Sequence, residues 1–318
     1  MGRPEYPKDM REFREKFTTQ EACVEYLIRC RWPEGFVCPR CSGNTGTLLK
    51  TRPLIKCRSC LYQGSPTAGT LLHRSHIPIR EWFWAAYLMA THTAGISAVQ
   101  LQRQLGISSD TTAWHMLHRL RKGMVNENRT LLSGLVEADE RFVGGPAKSK
   151  RGRGVAAAKN KSLVIGAVEV LSYQDKQGER RERAGRLRLS ILDDASAESI
   201  RGFLTQKIEP RTTVRTDGWL GYSDDALVGY KHRVRLVRRS ERAHQVAPHI
   251  HRVFSNLKAW LNGTHHGVEP KYLQSYLEEF VFRFNRRNTP MAAFQTLLGI
   301  SARKAPLSLR ELTSVSQP

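Results

Sequence analysis

Apolar and polar positions divide the chain into two regimes. Residues 9–31 place Phe13, Phe17, Val24, Leu27 and Ile28 at helical spacing and predict one helix. Short strands rich in Thr, Leu and Ile are expected around Thr47–Ile55, and Ser65-Pro66-Thr67 marks a break. Residues 79–122 predict helices alone. Trp82, Phe83, Trp84, Tyr87 and Leu88 form an apolar body, and a second helix is expected over Ser109–Lys122. Its inward positions are Ala113, Met116, Leu117 and Leu120; Arg119, Arg121 and Lys122 are expected outward. From Leu131 strands and helices alternate. Strands are predicted at Leu135–Val143, Leu163–Val170, Arg186–Leu192, Thr213–Asp217 and Tyr230–Val237. Helices are predicted at Asp194–Gln206, 249–262 and 270–286. The order β-β-β-α-β-β-α-α implies a mixed sheet flanked by helices, an α/β layer fold.

No apolar run approaches the ~18 residues needed to span a bilayer, and MGRPEYPKDMREF has no apolar signal core. A membrane-integral or secreted protein is therefore not expected, and the cytoplasm is the expected compartment. The 318 residues carry 51 Lys and Arg against 29 Asp and Glu, a formal charge of +22 that calls for a polyanionic partner, most simply nucleic acid. The cations are clustered. Residues 144–161 hold six basic residues and no acid, the pattern of a basic loop. Residues 228–258 hold eight basic residues against Glu241, and Arg283, Arg286 and Arg287 follow on the last predicted helix. Such clusters suit phosphate contact.

Four of the six cysteines form two pairs, Cys38/Cys41 and Cys57/Cys60, with 15 residues between the pairs. Each two-residue gap lets a tight knuckle aim two thiolates at one ion, and two knuckles complete a tetrahedron, so a structural Zn²⁺ is expected. Disulfides are the alternative, disfavoured in a reducing compartment. Cys23 and Cys30, seven apart on one helix face, read as core. The short helix near Ile96–Leu105, Gly106 and a second helix capped at Ser109 fit a helix-turn-helix. Thr111, Thr112, His115 and Arg119 would then approach DNA.

Three places carry polar residues beside apolar elements: Glu137 and Asp139 on one strand face, Asp217 at a strand end before Gly218, and the helix His249–Trp260. On that helix His251 and Lys258 share a face, and Asn256 lies on another flank.

The knuckles CPRC and CRSC, then VEADERFVGG (Val136–Gly145), RTDGWLGY (Arg215–Tyr222), HRVFSNLKAWLNGTHHGV (His251–Val268) and YLEEFVFRFNRR (Tyr276–Arg287), run in an order that resembles bacterial insertion-sequence DDE transposases of the zinc-ribbon branch. The resemblance spans about residues 20–290. It implies an RNase H-like core holding two divalent metals, Mg²⁺ or Mn²⁺, with Asp139 and Asp217 as the first two ligands. The family's third-position Glu is replaced here. His251 stands in its place, with 33 residues between it and Asp217, and Lys258 matches the family's downstream Lys. Asn256 is the alternative third ligand, and Glu278 and Glu279 lie later. The carboxylates suit hard cations, and a His ligand suits Mn²⁺ better than Mg²⁺.

The implied domains are 1–34, an N-terminal helical segment; 35–64, a zinc ribbon; 65–130, a helix-turn-helix-like DNA-binding domain; 131–290, the RNase H-like catalytic domain; and 291–318, a C-terminal tail. The implied activity is binding of the element's terminal inverted repeats, strand cleavage and strand transfer into target double-stranded DNA. A homodimer or larger synaptic complex is expected, associated with the nucleoid. Arg238, Arg239 and Arg252 are expected on phosphates. Two rivals are a catalytically inactive DNA-binding regulator and a nuclease of RNase H type.

Overall fold

The computed structural model describes residues 4–49, 52–127, 129–144, 161–217, 221–223, 225–234, 246–308 and 311. They form two units, Met1–Asn126 with Arg286–Pro318, and Glu127–Asn285.

The first unit begins with α1 (Met10–Lys16) and α2 (Gln20–Arg31). The single helix expected over 9–31 is two, because Thr18 and Thr19 spend their hydroxyls on the backbone. Thr18 Oγ1 donates to Arg14 O, and Thr19 Oγ1 accepts from Ala22 N at 3.2 Å, which starts α2 afresh. A three-stranded ribbon follows: β1 (Gly46–Leu48), β2 (Ile55–Cys57) and β3 (Gln63–Gly64), antiparallel throughout.

Then come α3 (Ile79–Thr91), α4 (Ala98–Leu105) and α5 (Asp110–Gly123). Gly106 takes the left-handed conformation that ends α4, and Ser109 caps α5 through Thr112 N, the expected helix-turn-helix local structure. The 291–318 stretch, expected as a tail, carries α9 (Pro290–Ser301). This helix is apolar on most sides, so it buries itself against α3 and α5. Phe294 sits among Phe13, Phe17, Tyr26 and Phe83 at ring-centroid distances of 5.4 to 6.4 Å. Cys23 and Cys30 are buried in the same core, as expected.

The second unit has a five-stranded sheet. Its strands are β4 (Leu135–Val143), β5 (Ser162–Gln174), β6 (Arg180–Leu192), β7 (Thr213–Thr216) and β8 (Lys231–Val234), in the order β6-β5-β4-β7-β8. The β4–β5 and β5–β6 pairs are antiparallel; β4–β7 and β7–β8 are parallel. Alternation on β4 and β5 splits the core. Val136, Ala138, Ile165 and Ala167 pack on α6 (Ala197–Lys207), whose Ile200, Phe203 and Leu204 face them. Val143, Val164 and Val168 face α7 (Pro248–His265) and α8 (Pro270–Asn285) through Val253, Leu257, Trp260 and Leu277. A mixed sheet in this order with helices on both faces is RNase H-like, the fold class expected. Among the described residues no helix is long and apolar enough to cross a membrane.

Candidate active site and zinc ribbon

The four knuckle thiols converge. Cys38 and Cys60 Sγ are 3.7 Å apart, as are Cys41 and Cys57 Sγ, and all four lie within 4.8 Å of one another. Zn–S bonds of ~2.3 Å require tetrahedral edges of about 3.8 Å, so the set fits one zinc ion. Both knuckles close the same way: the residue after the second cysteine, Ser42 or Leu61, has φ 58°. Backbone N–H groups, that of Cys60 foremost, pull the Cys57 thiol down against its burial, while against the Gly43 N–H the neighbouring sulfurs push the Cys41 thiol up, so the thiols titrate as one set. The ribbon is a structural Zn²⁺ site.

On α5, Thr111 is exposed and Thr112 and His115 are half-buried, so the start of the helix presents a polar surface. Two expectations for this helix need correction. Arg121 is buried, not outward, because α3, α4 and α9 cover α5 on three sides. Arg119 is half-buried and its Nη1 donates to His73 O, a structural contact rather than an outward one.

In the second unit the site is built on β4. Its parallel register with β7 sets Glu137 opposite Arg215; carried two residues on, it brings Asp139 level with Asp217, just past the end of β7. Asp139 is buried and Asp217 half-buried. On the other side Asp139 pairs with Gly166, where an added Cβ would lie 2.8 Å from Ile250 Cδ1 and 3.2 Å from Phe254 Cζ. The missing side chain lets α7 lie close against the sheet. His251 thereby reaches Asp139, Nδ1 to Oδ2 3.5 Å.

Burial raises the Asp139 pKa, opposed by the neighbouring Arg141 guanidinium; burial likewise lowers that of His251, favouring a neutral ring. His251 Nε2 is buried without a partner. Lys258 lies two turns along α7, its ammonium held below the ordinary lysine value by desolvation and by the charges of Arg141 and Lys161. Asn256, five residues from His251, is turned about 140° round the helix and is exposed. The structure puts Asp139 and His251 in contact, with Asp217 level with Asp139 past the end of the next strand and Lys258 two turns along α7, and leaves Asn256 on another flank. Glu278 pairs with Arg129 at 2.7 Å, and Glu279 is fully buried 3.7 Å from Arg283. Arg252 is exposed on α7; Arg238 and Arg239, with the 145–160 part of the basic loop, lie outside the described residues.

Three neighbours, Arg141, Glu140 and Glu137, were given no role by the sequence. Arg141 Nε donates to Asp139 Oδ2 at 3.0 Å while its Nη2 bonds His251 Nδ1 at 2.8 Å. Its i+2 position on the Asp139 strand face was the available signal. Glu140 is pushed up to about 7 by burial, against the Tyr222 hydroxyl that donates to it at 2.8 Å. Glu137 is fully buried. It accepts from the His249 and Ile250 backbone N–H groups at 2.8 and 3.0 Å, capping α7, and pairs with Arg215 Nη1 at 3.1 Å. Glu137, Glu182 and His249 could converge on a cation, but the Arg215 guanidinium already bonds both carboxylates.

Asp139 with His251 is the other candidate for a divalent ion: its donors, carboxylate oxygen and imidazole nitrogen, suit one, and here too a guanidinium, that of Arg141, already bonds both.

An RNase H-like sheet with one Asp at its centre and another just beyond the parallel neighbour defines the RNase H-like class of nucleic-acid-processing proteins. The chain belongs to the insertion-sequence DDE transposases, in the zinc-ribbon-bearing IS1595 family. Residues 131–285 match the ISXO2-like transposase domain and residues 18–63 the transposase zinc-ribbon domain. A Halobacterium salinarum protein, described as an uncharacterized protein in transposable element ISH50, is 25% identical over 285 residues, covering 84% of this chain and 91% of that relative. No solved structure matches.

Proposed function

We propose that this transposase binds the terminal inverted repeats of its element, cuts a strand there and joins the freed 3′-hydroxyl to target DNA, using Mg²⁺ or Mn²⁺. The observation that supports the reading is the Asp139–His251 contact at one end of the RNase H-like sheet, with Asp217 carried level with Asp139 by the β4–β7 register. These three side chains would hold the divalent ions, with His251 rather than Asn256 in the third place. Bound there, such ions activate an attacking oxygen and steady the leaving one in phosphoryl transfer. Lys258 would meet a phosphate beside the cut, and Arg252 a neighbouring one. The zinc ribbon and the exposed start of α5, with Thr111, Thr112 and His115, would hold the terminal repeat. Pairing two ends requires two copies of the chain, so a homodimer or larger complex is the working form, in the cytoplasm beside the nucleoid.

The test is purified protein with Mn²⁺ or Mg²⁺ on duplexes ending in the repeats that flank its gene. Wild type should nick and join; Asp139→Ala and Asp217→Ala should still bind the duplex but do neither. Cutting by both variants at the wild-type rate overturns the assignment. A DNA-binding regulator is the second reading, favoured by the His at the third position, which leaves the site one negative charge short of three carboxylates. Intact repeat binding with no metal-dependent cleavage selects it.

A further inference from the structure

We propose that Arg141 is a built-in counter-cation of the metal site: its guanidinium occupies the divalent-ion position between Asp139 and His251 and must swing out before metal enters. The inference rests on the reading of Asp139 and His251 as metal ligands and adds a residue that sets when they are available.

The geometry is that of a stand-in. Asp139 Oδ2 and His251 Nδ1 are 3.5 Å apart and both are held by the one guanidinium, through Nε at 3.0 Å and Nη2 at 2.8 Å. The ring nitrogen accepts from an arginine that cannot give up its proton, so its lone pair is aimed where a metal would take it. A desolvated carboxylate needs a cation nearby, and Arg141 supplies one while keeping both ligand atoms trained on a common point. A divalent ion and a guanidinium cannot share that point, because the guanidinium fills the space between the two ligand atoms and two cations in contact there repel.

Arg141 is able to leave. Its side chain is 40% exposed, and its hydrogen bonds run to Asp139 and His251, the two proposed ligands. The nearby Arg215 is the contrast. It is 9% exposed, bonds Glu137 and Glu182 by three hydrogen bonds, and is locked in place. Once displaced, Arg141 remains on the Lys258 side of the sheet, and its charge is then open to a DNA phosphate. Metal entry and DNA arrival would thus favour one another.

The experiment is Mn²⁺ titration of the zinc-loaded full-length protein, followed by calorimetry and by the loss of the free-ion paramagnetic resonance signal. Wild type is compared with Arg141→Ala and Arg141→Gln, the second keeping most of the length without the charge. Both variants should bind Mn²⁺ roughly tenfold more tightly, the scale expected when a unit positive charge is removed from contact with a partly screened carboxylate. Unchanged or weaker affinity in two folded variants overturns the proposal, since a merely structural Arg141 would loosen the site when removed. Asp139→Asn, alone and with Arg141→Gln, should abolish this binding. If Mn²⁺ still binds without the Asp139 carboxylate, the ligand assignment itself falls and the counter-cation role with it. If binding depends on Asp139 and the Arg141 variants do not tighten it, only the counter-cation role falls.

Discussion

Glu137→Ala removes a fully buried carboxylate that three donors share: Arg215 Nη1 at 3.1 Å, His249 N at 2.8 Å and Ile250 N at 3.0 Å. Breaking a buried ion pair costs about 3–5 kcal/mol, and loss of a helix cap adds about 1 kcal/mol. Because one carboxylate does both jobs the two do not simply add, and Arg215 retains Glu182, so about 4 kcal/mol is the expected loss. For a unit of this size that lowers Tm by about 8–16 °C in scanning calorimetry of the full chain. Glu137→Gln keeps the shape and one acceptor and should lose about half as much. A second arm separates this structural role from metal binding at Glu137, Glu182 and His249. Mn²⁺ should raise the wild-type Tm, and Glu182→Gln should leave that increment intact. A Glu137→Ala protein within about 1 kcal/mol of wild type refutes the capping argument. An increment lost in Glu182→Gln would place the metal at Glu137, Glu182 and His249 instead.

Three further outcomes follow from other parts of the molecule. Gly166→Ala forces a methyl to within 2.8 Å of Ile250 Cδ1 and Leu189 Cδ2, so it should cost about 1–3 kcal/mol in urea unfolding and weaken Mn²⁺ binding by moving His251 off Asp139. Chelation should release one zinc per chain, measured colorimetrically, with loss of ribbon structure; Cys57→Ser should abolish stoichiometric zinc. Burial raises the Glu169 pKa, but the Arg186 guanidinium and the Ser133 and Arg186 N–H groups outweigh it and hold the carboxyl below its ordinary value. The native state therefore binds fewer protons than the unfolded chain in the acid range. Glu169 then stabilises the fold above about pH 4.5 and ceases to as pH falls through the lowered value. Urea unfolding should show Glu169→Gln less stable than wild type near neutrality, with the gap narrowing in acid.

How much of this was legible depended on whether a residue's neighbours were near in sequence. The bounds of β4, Leu135–Val143, could be read from alternation, because Val136 and Ala138 face one apolar layer while Glu137 and Asp139 face the other. The outer half of the β5–β6 hairpin could not. Residues 172–183 there are exposed and mostly polar, so no apolar alternation marks them as strand. The burial of Arg121 was not legible because α5 is packed by α3, α4 and α9, the last arriving from more than 160 residues away. Asp139, Asp217 and His251 came from resemblance, and the sheet register explains why such distant positions meet.

The face of β4 that points at α7 shows what composition alone conceals. Glu137, Asp139 and Arg141 alternate along it, and their side chains are 0%, 8% and 40% exposed in turn. Depth decides what each can do. At the buried end Glu137 is enclosed by an arginine and a helix terminus, so its charge is spent on structure. At the open end Arg141 is solvated enough to move. Asp139 lies between them, desolvated enough to need a cation and accessible enough to exchange one for another. A chain of +22 thus confines the carboxylate proposed as ligand between an anion that cannot leave its partners and a cation that can, an arrangement suited to exchanging one cation for another.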